Sequence, residues 1–192
     1  RMLTKEREPM PDSLIVEHSS PTLAGLKTGS LFSCPPESKE KLTAELSRIN
    51  RVFVPRGLRI IPVKITDSRI LIYIYRPEKL REDFKNSLVR DILAEYGYPV
   101  KDSELCVKEL IRKVKTSESF PHEIGLFLGY PAEDVQGFIR NCAAKPKLVG
   151  AWKVYGDAEV AKKKFASYKK CTRLYLAAYA KHRSIDRLAV NA

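Results

Sequence analysis

Apolar residues recur along this chain in two rhythms, and the places where one gives way to the other lay out its elements. The plainest are "LRIIPVKI" (58–65) and "RILIYIYR" (69–76), β-branched and aromatic runs joined by the turn residues "TDS". They predict two strands paired as a hairpin. "SLFSC" (30–34) predicts a third strand and "KLVGAWKVYG" (147–156) a fourth. Helical spacing appears in "PPESKEKLTAELSRINRVF", where Ser38 stands as a cap and Leu42, Leu46, Ile49 and Phe53 fall on one face. Three further helical segments fill residues 77–116, broken near Asn86 and at "GYPVKDS". A long helix runs from about Asp157 to His182, and a short one is expected to start at Ser20-Pro21, a cap followed by a first-turn proline.

This order of strand, helix, strand, strand, helices, strand, helix predicts an α+β fold. We expect a mostly antiparallel four-stranded sheet, split β-α-β-like, with inserted helices and a long C-terminal helix. Residues 1–11 read as a flexible leader and 12–192 as a single domain. No run of eighteen apolar residues occurs, so neither a membrane span nor a membrane partner is expected. The charged first residues do not resemble a signal peptide. Cys34, Cys106, Cys142 and Cys171 lie far apart without a C-x-x-C pair, which excludes zinc ribbons and redox dithiols of the usual spacing. Reduced thiols and a cytoplasmic location are the corresponding expectation.

Charge sharpens the picture. The formal net charge is +12, but from Arg140 onward thirteen Lys and Arg face only three Asp and Glu, placing +10 in the last 53 residues. On the C-terminal helix, Ala161, Phe165, Tyr168, Thr172, Tyr175 and Tyr179 form one stripe. Lys162, Lys163, Lys169, Lys170 and Arg173 gather about a third of a turn away. The aromatic stripe suits a core. The basic one is either a solvated face or an anion-binding surface, with nucleic acid as one candidate partner.

Three motifs invite chemistry. "FPHEIGLFLGYPAEDVQGFI" (120–139) begins His122-Glu123, as a zinc peptidase helix does, but Leu126 stands where the second histidine belongs. No metal site is expected. The same stretch has the spacing of a helix-turn-helix, yet its second helix opens with Glu133 and Asp134, carboxylates that would face phosphates. It reads as a helical corner whose His122 and Glu123 can border a pocket. "HSSPTLAGLKTGS" (18–30) supplies small residues, hydroxyls and a lysine suited to an anion-binding turn; if a helix starts at Pro21, its free N–H groups point toward Ser19 and Ser20. The P-loop pattern is absent. Cys171 sits among Lys169, Lys170 and Arg173, whose charge would favour a thiolate, against the alternative of a half-buried small hydrophobe.

"SPTLAGLKTGSLF", "FPHEIGLFLGYPAEDVQGFI" and "WKVYGD" followed by "YKKCTR" are together similar to an uncharacterised bacterial family found mainly in anaerobic Firmicutes, the clostridia among them, whose domain has no assigned function. The likeness runs from about Leu14 to Val190. It implies a bacterial cytosolic protein of this size and supplies no reaction. It directs attention to His18, Pro21, Gly25, Lys27, His122, Glu123, Gly125, Gly129, Tyr130, Asp134, Trp152, Lys153, Tyr155, Cys171 and Arg173. Relatives often carry Cys where this chain has Ser19, so a thiol mechanism at that position is not open to this chain.

The reading that follows is a domain binding a small anionic ligand or cofactor in a polar pocket. Its walls would be the turn carrying His18, Ser19, Ser20, Thr22 and Lys27, the His122–Glu123 start, and the Trp152, Lys153, Tyr155 strand, with Arg173 nearby. The alternatives are nucleic-acid binding through Lys162, Lys163, Lys169, Lys170 and Arg173, and a thiol-dependent enzyme using Cys171, for which His122 and Glu123 are further catalytic candidates.

Overall fold

The computed structural model describes residues 12–192; the leader proposed for residues 1–11 lies outside the described residues. Three strands, β1 (Gly29–Cys34), β2 (Arg59–Ile65) and β3 (Ile70–Tyr75), form an antiparallel sheet in the order β1-β3-β2. Both outer strands run opposite to β3, so β1 and β2 are parallel to each other with α2 (Lys39–Phe53) crossing between them. That is the split β-α-β arrangement. Pro62, which has no N–H to give, lies on the edge strand β2 beside a bulge at Val63.

The central strand is buried at every position, because both its edges are paired and both its faces covered. Its alternation sorts two cores. Leu71, Tyr73 and Tyr75 face one layer built from α3 (Pro77–Asp83), α4 (Ser87–Glu95), α5 (Ser103–Thr116), a 3-10 turn (His122–Leu128) and α6 (Ala132–Arg140). Ile70, Ile72 and Ile74 face the other, built from α1 (Asp12–Leu23), α2 and the segment holding Ile185, Leu188 and Ala189. The long α7 (Ala158–His182), capped by the Asp157 carboxylate on the N–H groups of Glu159 and Val160, spans the side of the molecule. Among the described residues no helix is long and apolar enough to cross a membrane.

Two expectations are corrected. The sheet has three strands, not four. Residues 147–156 instead fold into a separate hairpin of two-residue strands, β4 (Leu148–Val149) and β5 (Lys153–Val154). The chain reverses over Gly150–Trp152, Gly150 N donating to Trp152 O at 3.1 Å, and an added Cβ at Gly150 would stand 2.3 Å from the Phe165 ring, so only glycine fits against it. The hairpin then buries Trp152 and Val154 in a third, small core with Ala161.

The second correction concerns Pro21. It lies in the last turn of α1 rather than the first turn of a new helix. Gly25, at φ +76°, ends the helix in the left-handed conformation, with Leu26 N donating to Pro21 O at 2.8 Å. The free groups at this end are therefore carbonyls. Arg76 takes them up, its Nε donating to Thr22 O (2.8 Å) and its Nη2 to Leu23 O (2.7 Å). A cation, not an anion, belongs at this helix end.

Candidate functional site

Asp134 organises a concave part of the surface. It is buried in the first turn of α6, and both carboxylate oxygens are committed. Oδ2 accepts from Trp152 Nε1 (2.7 Å); Oδ1 accepts from the backbone N–H of Tyr155 (2.9 Å) and of Gly156 (2.7 Å). One side chain thus ties the hairpin to α6. Trp152 is held further between Tyr130, stacked at 4.8 Å, and Phe165, edge-on at 4.6 Å.

Between this clamp and the 3-10 turn lies a pocket of about 460 Å³, within the range for small-molecule sites. Phe120, His122, Tyr130, Phe138, Trp152 and Lys153 line it, over a floor of Ile124, Gly125 and Val135. The rings of His122 and Phe138 are 5.4 Å apart, and Lys153 Nζ lies 5.9 Å from the Phe138 centroid. Lys153 Nζ also donates to Ala143 O at 2.8 Å, which fixes the ammonium while leaving two of its three protons for other acceptors. The lining is chiefly aromatic and aliphatic, with polarity confined to few groups. In this respect it departs from the polar pocket expected.

Adjacent residues His122 and Glu123 diverge. His122 is exposed and lines the pocket; Glu123 is buried and accepts from Tyr98 Oη at 2.8 Å. Burial, and then the Glu123 charge, raise the Tyr98 hydroxyl pKa, so Tyr98 stays the donor. Lys27 approaches from behind the wall, its Nζ 5.3 Å from the Tyr130 ring centroid and donating to Gly29 O at 2.6 Å. Burial lowers its pKa to about 8.

The other sequence candidates lie elsewhere. His18 is exposed and stacks on Phe32 at 5.5 Å, beside the core opposite the pocket. Ser19 is fully buried, and its hydroxyl has no partner among the described residues. Ser20 donates back to Val16 O, and Thr22 shares a 2.7 Å bond with Ser30. Tyr155 gives its hydroxyl to Ala144 O at 3.0 Å. Lys162, Lys163, Lys169, Lys170 and Arg173 are all exposed on α7. Cys171 is buried, and desolvation raises its pKa, against the thiolate its basic neighbours suggested; Cys142 is the exposed thiol. Among the described residues no group of three or more His, Cys, Asp or Glu side chains is placed to hold a metal ion.

Of the residues singled out from sequence, the pocket gathers His122, Gly125, Tyr130, Asp134, Trp152 and Lys153, with Lys27 behind its wall. Phe120 and Phe138 went unnoticed as pocket walls. The available signal was local: Asp134 and Phe138 stand four apart and share a face of α6.

Fold and site together define an α+β domain with a three-stranded split β-α-β sheet and an aromatic pocket closed by a carboxylate-clamped hairpin. The chain belongs to the family described as Protein of unknown function (DUF3793), which it matches over residues 15–189. No curated protein and no solved structure matches it.

Proposed function

We propose that this domain binds a small anionic ligand in the pocket between the 3-10 turn, α6 and the β4–β5 hairpin. One observation carries the reading. The pocket contains two basic side chains, His122 and Lys153, while its one carboxylate, Asp134, is consumed by three hydrogen bonds of its own. A recess whose acid is internally satisfied and whose bases have capacity left favours negative charge. Trp152 is the chain's single tryptophan, so its emission reports on this site alone. Acetate, inorganic phosphate, benzoate and nucleoside monophosphates should be titrated against that emission. At least one is expected to change it saturably, with the response lost in Lys153→Met. A flat response to all of them at millimolar concentration would overturn the reading.

A second reading is nucleic-acid binding along α7. It is favoured by the exposure of Lys163, Lys169, Lys170 and Arg173 without an ion-pair partner among the described residues; Lys162 pairs with Glu159 at 2.8 Å. Duplex affinity should then fall with log salt at a slope of about −0.9 per neutralised phosphate, hence near −4 for four contacts. Affinity that ignores salt, or survives Lys169→Glu with Arg173→Glu, would exclude it.

A further inference from the structure

Resting on the anionic-ligand reading, we infer that the ligand class is a planar aromatic monocarboxylate, its ring against Phe120 and Phe138 and its carboxylate at Lys153 and His122. Three features of the pocket lead there.

The first is the nature of the walls. Five of the lining side chains are rings, and they are not equally used up by the fold. Tyr130 and Trp152 stack on each other, and Trp152 is almost wholly buried. Phe138 is only partly buried, and Phe120 remains 46% exposed at the pocket's mouth. An exposed phenylalanine beside a second, half-covered one leaves aromatic faces that a flat π-system can occupy by stacking or edge contact. An aliphatic chain would gain area here but not those ring contacts.

The second is the charge that the pocket can accept. Its donors are one ammonium and one imidazole, flanking Phe138 at 5.9 and 5.4 Å from its centroid. Two donors match the two oxygens of a carboxylate. A phosphate dianion, with three terminal oxygens and twice the charge, is ordinarily met by several cationic groups, arginines above all, or by a run of backbone N–H groups. Neither is available: no arginine lines the pocket, and the first turn of α6 carries Glu133 and Asp134.

The third is size. A pocket of about 460 Å³ holds a one- or two-ring acid comfortably. The basic groups lie beside Phe138, so a ring stacked there carries its carboxylate within their reach.

The test uses the full-length, 15N-labelled chain, in which Trp152 gives the one tryptophan indole N–H cross-peak. The probes are 2-naphthoate, its neutral counterpart 2-naphthylmethanol, cyclohexanecarboxylate, acetate and inorganic phosphate. Saturable displacement of the cross-peak by 2-naphthoate is expected, with an affinity at least about tenfold above each of the others, the loss of one charge-assisted contact or one stacking partner corresponding to roughly that factor. Lys153→Met should weaken 2-naphthoate about tenfold and leave 2-naphthylmethanol unchanged, and Lys153→Arg should restore most of it. Phe138→Leu should weaken 2-naphthoate while sparing acetate. Unchanged positions for cross-peaks outside the pocket certify that each variant is folded. If acetate, phosphate or cyclohexanecarboxylate binds as tightly as 2-naphthoate, the aromatic assignment is wrong and the anionic reading stands. If 2-naphthylmethanol equals 2-naphthoate, or no probe moves the peak, both fall.

Discussion

Asp134 shows how far one side chain can carry a local structure. Each of its three hydrogen bonds is charge-assisted, and each joins α6 to a different point of the hairpin. Hydrogen bonds to charged groups are worth about 1.5–3 kcal/mol each, and they are not additive when one residue makes all three. Asp134→Ala should therefore cost about 2–4 kcal/mol, felt first in the hairpin, because the three-stranded sheet and its two cores do not depend on this residue. We expect hydrogen exchange to accelerate at Tyr155 and Gly156 before the sheet loses protection, with Trp152 emission moving to the red. Simultaneous loss of protection in β3 would mean that the hairpin is not a separable unit. At this scale the sequence was only partly legible. Asp134 drew attention first as a carboxylate badly placed for phosphates, and nothing in one dimension says that two backbone N–H groups twenty-odd residues later will meet it. Cys171 left two readings open for the same reason: Lys169, Lys170 and Arg173 are its neighbours in sequence, but the helix turns them to water and the thiol inward, as the small-hydrophobe alternative has it.

At the scale of elements, pattern was a good guide wherever one face of an element meets a core. The aromatic stripe of α7 is the clearest instance. Its first half, Ala161, Phe165 and Tyr168, packs with Trp152 in the small core, and its second half, Tyr175 and Tyr179, packs beside α1 and the tail. The intervening lysines stay exposed, as a helix with a 3.6-residue period requires. The β2–β3 hairpin, the Ser38 cap and the breaks before α4 and α5 were likewise readable from turn and cap chemistry. Two elements were misread, each for a definable reason. Proline suits a helix's first turn, but Pro21 stands two residues before the end of α1, where it withholds its N–H from the preceding turn and the left-handed Gly25 ends the helix directly after. Residues 147–156 have the composition of one strand, but strand length is set by what pairs with it. The tight turn over Gly150–Trp152 breaks the run into two short arms that pair with each other. A site built on that hairpin could not be foreseen from a continuous fourth strand.

At the scale of the whole molecule, Arg76 joins parts of the chain that sequence order keeps apart. It is almost fully buried and has no carboxylate partner among the described residues. Its donors go instead to four carbonyls: Thr22 and Leu23 at the end of α1, Arg56 after α2 (3.2 Å) and Val190 in the tail (2.9 Å). Burial lowers its pKa, yet guanidinium remains charged at any working pH, so the charge must be met by dipoles. The tail is fastened on the same spot, Val190 N donating to Leu23 O at 3.0 Å and Arg56 Nη1 to Ala189 O at 3.3 Å, while Ile185 and Leu188 enter the core behind the sheet. Replacing Arg76 with methionine keeps the stem but removes the donor to Arg56 O and Val190 O, while Thr22 O and Leu23 O each keep one backbone donor, Gly25 N and Val190 N. The cost should be about 2–5 kcal/mol, at roughly 1–3 kcal/mol for each buried acceptor left unsatisfied. Arg76→Lys should recover little, since three protons on one nitrogen cannot serve four carbonyls spread over three segments. Ending the chain after residue 184 should cost a similar amount, and combining it with Arg76→Met should add much less than the sum, because both remove one network. Denaturant unfolding of the single and double variants measures this directly. Additive losses would mean that Arg76 caps α1 independently of the tail, and a cost under about 1 kcal/mol for Arg76→Met would mean that water replaces the guanidinium and the tail is held by its apolar contacts alone.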